Sequence, residues 1–222
     1  MNILAGHSRA RGLQRGIPRL TRSIVIGGGT IKKVTDAVVE FLENRTFQIP
    51  PHIYILAGIN DLTRLIKDHR RHYTECIFDM DPQTASNNLI HEFNHCIYTI
   101  QQAGGIPILC TITSANIEKY NKHMLHNFWT RHLEHTHEYP TMQNNLNQAI
   151  DTINAFISNT NRISGLSTPY THTAIKKRTG TSRRVRYRYN WHGLMDGLHG
   201  DSDTKIKWAD AISAAIRLNL RH

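Results

Sequence analysis

No apolar run in this sequence approaches the ~18 residues that a membrane-spanning helix requires, so no membrane-spanning helix is expected within it. Cysteine is scarce. Cys76, Cys96 and Cys110 are odd in number and widely spaced, so they read as reduced thiols, two of them in apolar segments, and not as a disulfide framework. The opening MNILAGHSRARG has too short an apolar stretch for a signal peptide, and its charges follow that stretch. The expectation is an intracellular protein, cytoplasmic or nuclear. Acid is also in short supply: 17 Asp and Glu face 27 Lys and Arg, a net charge of +10. That imbalance favours polyanionic partners, nucleic acid or an anionic lipid surface, and says nothing about fold.

What is present is enough for a core. Hydrophobic residues make up 39% and charged residues 20% of 222, with no internal repeat and no long linker, which suits one domain over 1–222. Short apolar runs alternate with longer segments of helical periodicity, the pattern of a parallel sheet wrapped by helices. Strands are expected at Met1–Ala5, Ser23–Ile26, His52–Ala57 and Ile106–Ile112. Helices are expected at about Thr30–Leu42, Thr84–Gln102, Asn116–Asn161 (split near Tyr139-Pro140) and Ser202–Leu220. Leu62–Gln83 reads as a loop with short helical pieces. Lys176–Arg188 (KKRTGTSRRVRYR) reads as a mobile basic surface loop, an insertion around 176–190.

Ester hydrolysis by serine needs a nucleophile, a histidine base, a group that orients the base, and donors for the oxyanion. Each has a candidate just after a strand's C-terminal end, where α/β folds place functional groups. Ser8 follows the first strand, Gly28 and Gly29 the second, and Asn60 the third; Asp196 and His199 precede the last helix.

These positions carry a resemblance. Gly6-His7-Ser8 with Gly12 is similar to the G-D-S-x-x-x-G first block of SGNH (GDSL-like) hydrolases. Gly28-Gly29-Thr30-Ile31 resembles their glycine block, Gly58-Ile59-Asn60-Asp61 their G-x-N-D block, and Asp196-Gly197-Leu198-His199 their D-x-x-H block. The four occur in the family's order and span nearly the whole chain. The resemblance implies a three-layer α/β/α sandwich with a central, mainly parallel sheet of flavodoxin-like topology. It implies Ser8 as nucleophile, His199 as base and Asp196 as its partner. The oxyanion donors would be the Ser8 amide, a glycine amide (Gly28 before Gly29) and the Asn60 side chain. No cofactor and no metal are implied, and the substrate would be an acyl or acetyl ester. One residue departs from the pattern: His7 stands where the family has aspartate, which opens the alternative of an impaired scaffold that binds nucleic acid or a protein partner. His7, Gly29, Asp61 and His192 are accessory candidates, and Asp201 and Asp203 are fallback acids. The GHSRARGL start also resembles SGNH domains encoded by retrotransposons and related mobile or viral elements.

Other motifs compete. His91-Glu92-Phe93-Asn94-His95 matches the zinc motif H-E-x-x-H. Its longer form fails at Tyr98, Glu118 is the one conceivable third ligand, and the apolar stripe of the helix should leave both histidines outside. His123, His126, His132, His135 and His137 read as surface histidines, and Phe128, Trp129 and Trp191 as core or pocket walls. Anion or nucleic-acid binding is assigned to Lys176, Lys177, Arg178, Arg183, Arg184, Arg186 and Arg188. Arg9, Arg11, Arg15, Arg19 and Arg22 add to that basic character.

Overall fold

A computed structural model describes residues 1–20, 22–68, 73–126, 138–181 and 184–220. Its elements are β1 (Asn2–Gly6), β2 (Arg22–Val25), α1 (Ile31–Glu43), β3 (His52–Leu56), α2 (Ile59–Leu62), β4 (Arg64–Asp68), β5 (Tyr73–Ile77) and α3 (Pro82–Gln102). There follow β6 (Ile106–Leu109), α4 (Ile117–His126), α5 (Tyr139–Ile163), β7 (Lys176–Thr181), β8 (Arg184–Tyr189) and α6 (Ser202–Asn219). Among these helices none is long and apolar enough to cross a membrane. Phe128, Trp129, His132, His135, His137 and Arg183 lie outside the described residues.

β1 is buried at every position, as a strand covered on both faces must be. It pairs in parallel with β2 and β3, and β3 pairs in parallel with β6, giving the order β2-β1-β3-β6. Alternate side chains sort to opposite faces. Ile3, Ala5, Ile53, Ile55 and Leu109 join the core formed with α1, α3 and α5. Leu4, Tyr54, Leu56 and Ile108 join a second core closed by α6 and the segment Leu13–Ile17. The result is the expected α/β/α sandwich. α3 starts two residues before its expected N-terminus because Asp81 caps it, accepting from the Thr84 N–H at 2.9 Å, and Pro82 suits a first turn that needs no N–H.

Two segments differ from expectation. Residues 64–68 and 73–77, expected as loop, form the antiparallel pair β4–β5, and residues 176–181 and 184–189 of the basic run form a second antiparallel pair, β7–β8. Charged residues had hidden the alternation in both.

The strand at Ile106 ends its ladder at Leu109, short of the expected Ile112, and its outer edge is closed by asparagines of α5. Asn161 accepts from the Leu109 N–H at 3.2 Å and donates to the Leu109 carbonyl at 2.8 Å. Asn154 does the same to Ile112, at 2.6 and 2.9 Å. Asn121 of α4 repeats the device on Cys76 of β5, at 2.8 and 2.9 Å. Each carboxamide replaces a neighbouring strand's peptide group, so an edge buried under a helix keeps no orphan amide. Replacement of Asn154 by leucine keeps the volume and strands both groups of Ile112. We expect a loss of about 2–4 kcal/mol, read as a lower urea midpoint with unchanged slope.

Candidate active site

Ser8 opens a short 3-10 turn, Ser8–Ala10, immediately after β1. The turn is capped by His7, whose Nδ1 accepts from the Arg9 N–H at 3.3 Å. Burial, reinforced by the charges of Arg9 and His199, lowers the His7 pKa to about 3, so its ring is a neutral acceptor across the working range. An acceptor atom close to its own backbone is what an aspartate supplies at such a position. His7 fills that place without carrying a charge.

Asp196 and His199 come from the loop before α6. The turn between them passes through Gly197 at φ 85°, where a Cβ would stand 2.5 Å from the Asn116 carbonyl oxygen and 2.6 Å from the Tyr120 nitrogen. Only glycine fits there. Asp196 Oδ1 accepts from the N–H groups of Leu198 at 2.9 Å and His199 at 2.6 Å, and Oδ2 lies 2.7 Å from His199 Nδ1. His199 Nε2 then lies 3.0 Å from Ser8 Oγ, across 191 positions of sequence. Burial opposes ionisation of Asp196. The hydrogen bonds from His199 and Leu198 outweigh it and hold the carboxyl well below the usual carboxylate range. An ionised Asp196 accepts the hydrogen bond from the Nδ1–H, which fixes the tautomer and leaves the Nε2 lone pair toward the serine hydroxyl.

The glycine and asparagine candidates sit on neighbouring loops. Asn60 Nδ2 donates to the Gly29 carbonyl at 3.0 Å, which ties the β3 loop to the β2 loop and leaves one carboxamide hydrogen over. The Gly29 N–H is spent on the Ile26 carbonyl at 3.1 Å. Gly28, at φ 63°, has no atom within 4 Å of where a Cβ would be, and its N–H meets no acceptor among the described residues. The same holds for the Ser8 N–H.

Other candidates take structural places. Asp61 accepts from the Ile31 N–H through both oxygens at 3.1 Å and so caps α1. Asp201 caps α6 through the Thr204 N–H at 2.8 Å, and Asp203 lies in the first turn of that helix. His192 is exposed in the 3-10 turn Trp191–Gly193. His91 and His95 are exposed on α3, and no group of three metal-ligating side chains occurs among the described residues. The three cysteines are all buried free thiols, including the one not expected there; burial pushes Cys76 and Cys96 up to about 11.

Arg9 overturns its sequence reading. Counted among the surface cations, it is buried to 2% exposure, while Arg11, Arg15, Arg19 and Arg22 are exposed. Its Nε donates to the Leu198 carbonyl at 2.8 Å, one amino nitrogen to the Thr113 carbonyl and the other to the Ser114 carbonyl at 3.2 Å. It lies over the Trp208 ring at 5.9 Å. Burial lowers its pKa to about 9, against the pull of Asp196. Its sequence signal was weak: one cation beside the nucleophile position in a stretch rich in cations.

Comparison with known proteins bears on fold. Neither a family model nor a curated protein matches the chain. Among solved structures, a lipolytic protein of the G-D-S-L family from Veillonella parvula DSM 2008 is similar at TM-score 0.60 and 10% identity, covering 97% of each chain. A GDSL-like lipase from Bacteroides thetaiotaomicron VPI-5482 is similar at TM-score 0.56 and 14% identity, over 99% of this chain and 87% of that one. Est24, a carbohydrate acetylesterase from Sinorhizobium meliloti, is similar at TM-score 0.52 and 10% identity, covering 97% of each chain.

Two outcomes follow from the geometry. Replacement of Arg9 by methionine leaves three carbonyls without donors in a buried place. We expect a loss of about 3–5 kcal/mol in urea, with Arg9→Lys between it and wild type. Burial, then the charge of Glu92, raises the Asp61 pKa from 3.8 to about 6, although the Ile31 bond pulls it down. A raised folded pKa means that the stability contribution is present below the ordinary value and is lost as pH rises through about 6. Asparagine keeps an acceptor for Ile31 and cannot ionise. Asp61→Asn should therefore melt above wild type at pH ~7.5, and the gap should close by pH ~4. The loop groups are thus sorted into a hydrogen-bonded Ser8–His199–Asp196 chain and its supports, on the α/β/α fold of GDSL-type acylhydrolases.

Proposed function

We propose that this chain is a serine esterase or deacetylase acting on an acyl or acetyl ester through an acyl-enzyme on Ser8. The observation that carries the reading is the continuous chain Ser8 Oγ, His199 Nε2, His199 Nδ1, Asp196 Oδ2, with links of 3.0 and 2.7 Å. His199 takes the hydroxyl proton as Oγ attacks the ester carbonyl carbon, and Asp196 stabilises the imidazolium. The carbonyl oxygen becomes an oxyanion, for which the N–H groups of Ser8 and Gly28 and the remaining Asn60 hydrogen are the donors. Collapse of the tetrahedral adduct breaks the bond to the leaving alkoxide, which takes the proton from His199. Water then repeats the sequence, with His199 as base, and releases the acid and free Ser8.

Beside Asn60 lies a cleft of about 540 Å³ in which Met80, Ala85 and Leu89 meet the polar groups of Thr30, Asp61, Asn88, His91 and Glu92. Two of the similar structures bear the names of a lipase and a carbohydrate acetylesterase, both carboxylic ester hydrolases. The rival reading of an impaired scaffold rested on His7. Its neutral ring keeps the nucleophile turn capped, which favours a working site.

Hydrolysis of short-chain p-nitrophenyl esters tests the reading. Activity should survive chelation of metals, vanish in Ser8→Ala and fall by about 10,000-fold in kcat for Asp196→Asn, where a carboxamide no longer fixes the imidazole tautomer. A fluorophosphonate should label wild type and not Ser8→Ala. Absence of both turnover and labelling in folded protein overturns the proposal.

A further inference from the structure

The β7–β8 hairpin carries a charge arrangement that its own fold does not explain. Its register sets Lys177 directly opposite Arg188. Like charges across a ladder destabilise it, and no carboxylate among the described residues pairs with either side chain. The neighbouring cross-strand pair is treated differently. Lys176 faces Tyr189, lies 5.2 Å from its ring centre and is paired to Asp151 at 2.9 Å. Lys176 is paired with Asp151, whereas Lys177 and Arg188 have no carboxylate partner among the described residues.

Those two cations border a cleft of about 640 Å³, together with Lys119, Tyr189, Trp191 and His192, and no acidic side chain lines it among the described residues. The Tyr189 and Trp191 rings are parallel, 4.7 Å between centres and 7° apart. They are held in place: Lys176 lies against Tyr189, and Lys119 Nζ donates to the Trp191 carbonyl at 3.3 Å and to the Leu194 carbonyl. Trp191 stacks on Tyr189, whose ring Lys176 also covers, so the ring face left to a ligand is the outer face of Trp191. One such face beside cations suits a strand of nucleotides, since each unit offers a phosphate and a π-face. Duplexes hide their base faces in the stack. A bilayer offers anions on a flat surface and does not enter a cleft.

We propose that this cleft binds single-stranded nucleic acid, with a base on the outer face of Trp191, extending the Lys176–Tyr189–Trp191 stack, and phosphates on Lys177 and Arg188. The proposal stands on the cleft alone and does not depend on Ser8 being a nucleophile.

Fluorescence anisotropy of the full chain with a labelled single strand of ~12 nucleotides tests it. Trp191→Ala should weaken binding roughly 10-fold with little change in salt dependence, because it removes stacking. The double variant Lys177→Ala/Arg188→Ala should flatten the log–log salt slope by about 1.4, at roughly 0.7 for each phosphate released. Ser8→Ala should bind as wild type, whatever its effect on ester turnover. Circular dichroism and melting confirm that each variant is folded. The proposal is overturned if folded variants bind unchanged, if the duplex of the same sequence binds as tightly, if a mononucleotide competes as well as the strand, or if phosphatidylserine vesicles displace the strand and bind independently of Trp191.

Discussion

The guanidinium of Arg9 holds together parts that the chain supplies from far apart. Ser8 belongs to the loop after β1, and the Asp196–His199 pair belongs to the loop before α6. Sheet hydrogen bonding fixes the first and has no direct hold on the second. Arg9, next to the serine, donates to the carbonyl of Leu198, between the acid and the base, and to the carbonyls of Thr113 and Ser114 beyond β6. One rigid, planar donor set spans three loops, which a lysine's point charge cannot do. The charge that this costs to bury is offset by three carbonyl dipoles and by the field of Asp196. A 3.0 Å approach between side chains 191 residues apart depends on such a tie.

The same economy of donors appears at the sheet's margin. A four-stranded parallel sheet covered on both faces still has two edges, and β6 forms one of them. Asn154 and Asn161 lie seven apart within a helix stripe that otherwise buries Ile150, Ile153 and Ile157. Seven residues is two helical turns, close to the spacing at which a helix can meet successive peptide groups of an adjacent strand. Polar residues on an apolar face thereby close the sheet without another strand, and they fix the register of α5 against β6.

The four strands of the parallel sheet, most of the helices and the candidate serine, histidine and aspartate positions could be read from the sequence because each obeys a local rule. Apolar runs of five mark strands, helical spacing marks α1, α3 and α6, and short blocks after strand ends mark the site. What escaped was non-local or masked. Nothing in GHSRARGL distinguishes Arg9, which turns inward, from Arg11, which stays in solvent, because the difference lies in carbonyls more than a hundred residues away. The two hairpins escaped because their alternation runs through charged residues. Asp61, read as an accessory site group, is a helix cap, a role visible only once α1 is seen to begin beside the β3 loop. The asparagine seals did leave a trace, two Asn in an Ile stripe, which reads as an interruption until the strand it covers is in place.

The placement of the hairpin bears on how the two proposed sites coexist. β8 ends two residues before Trp191 and seven before Asp196, so a ligand on the hairpin would be expected to disturb the acid and base. α4 intervenes. Lys119 grips the carbonyls of Trp191 and Leu194, and the Asn116 N–H donates to the Gly197 carbonyl at 2.7 Å, so the chain is clamped on both sides of Asp196. Gly197 packs so closely on α4 that no side chain is tolerated there. The contacts of Lys119 and Asn116 thus lie between the hairpin and the Asp196–His199 turn. Elements outside such a clamp can change shape, charge and ligand while the geometry at Ser8 holds, which is how a binding surface can be built onto a hydrolase fold without remaking its site.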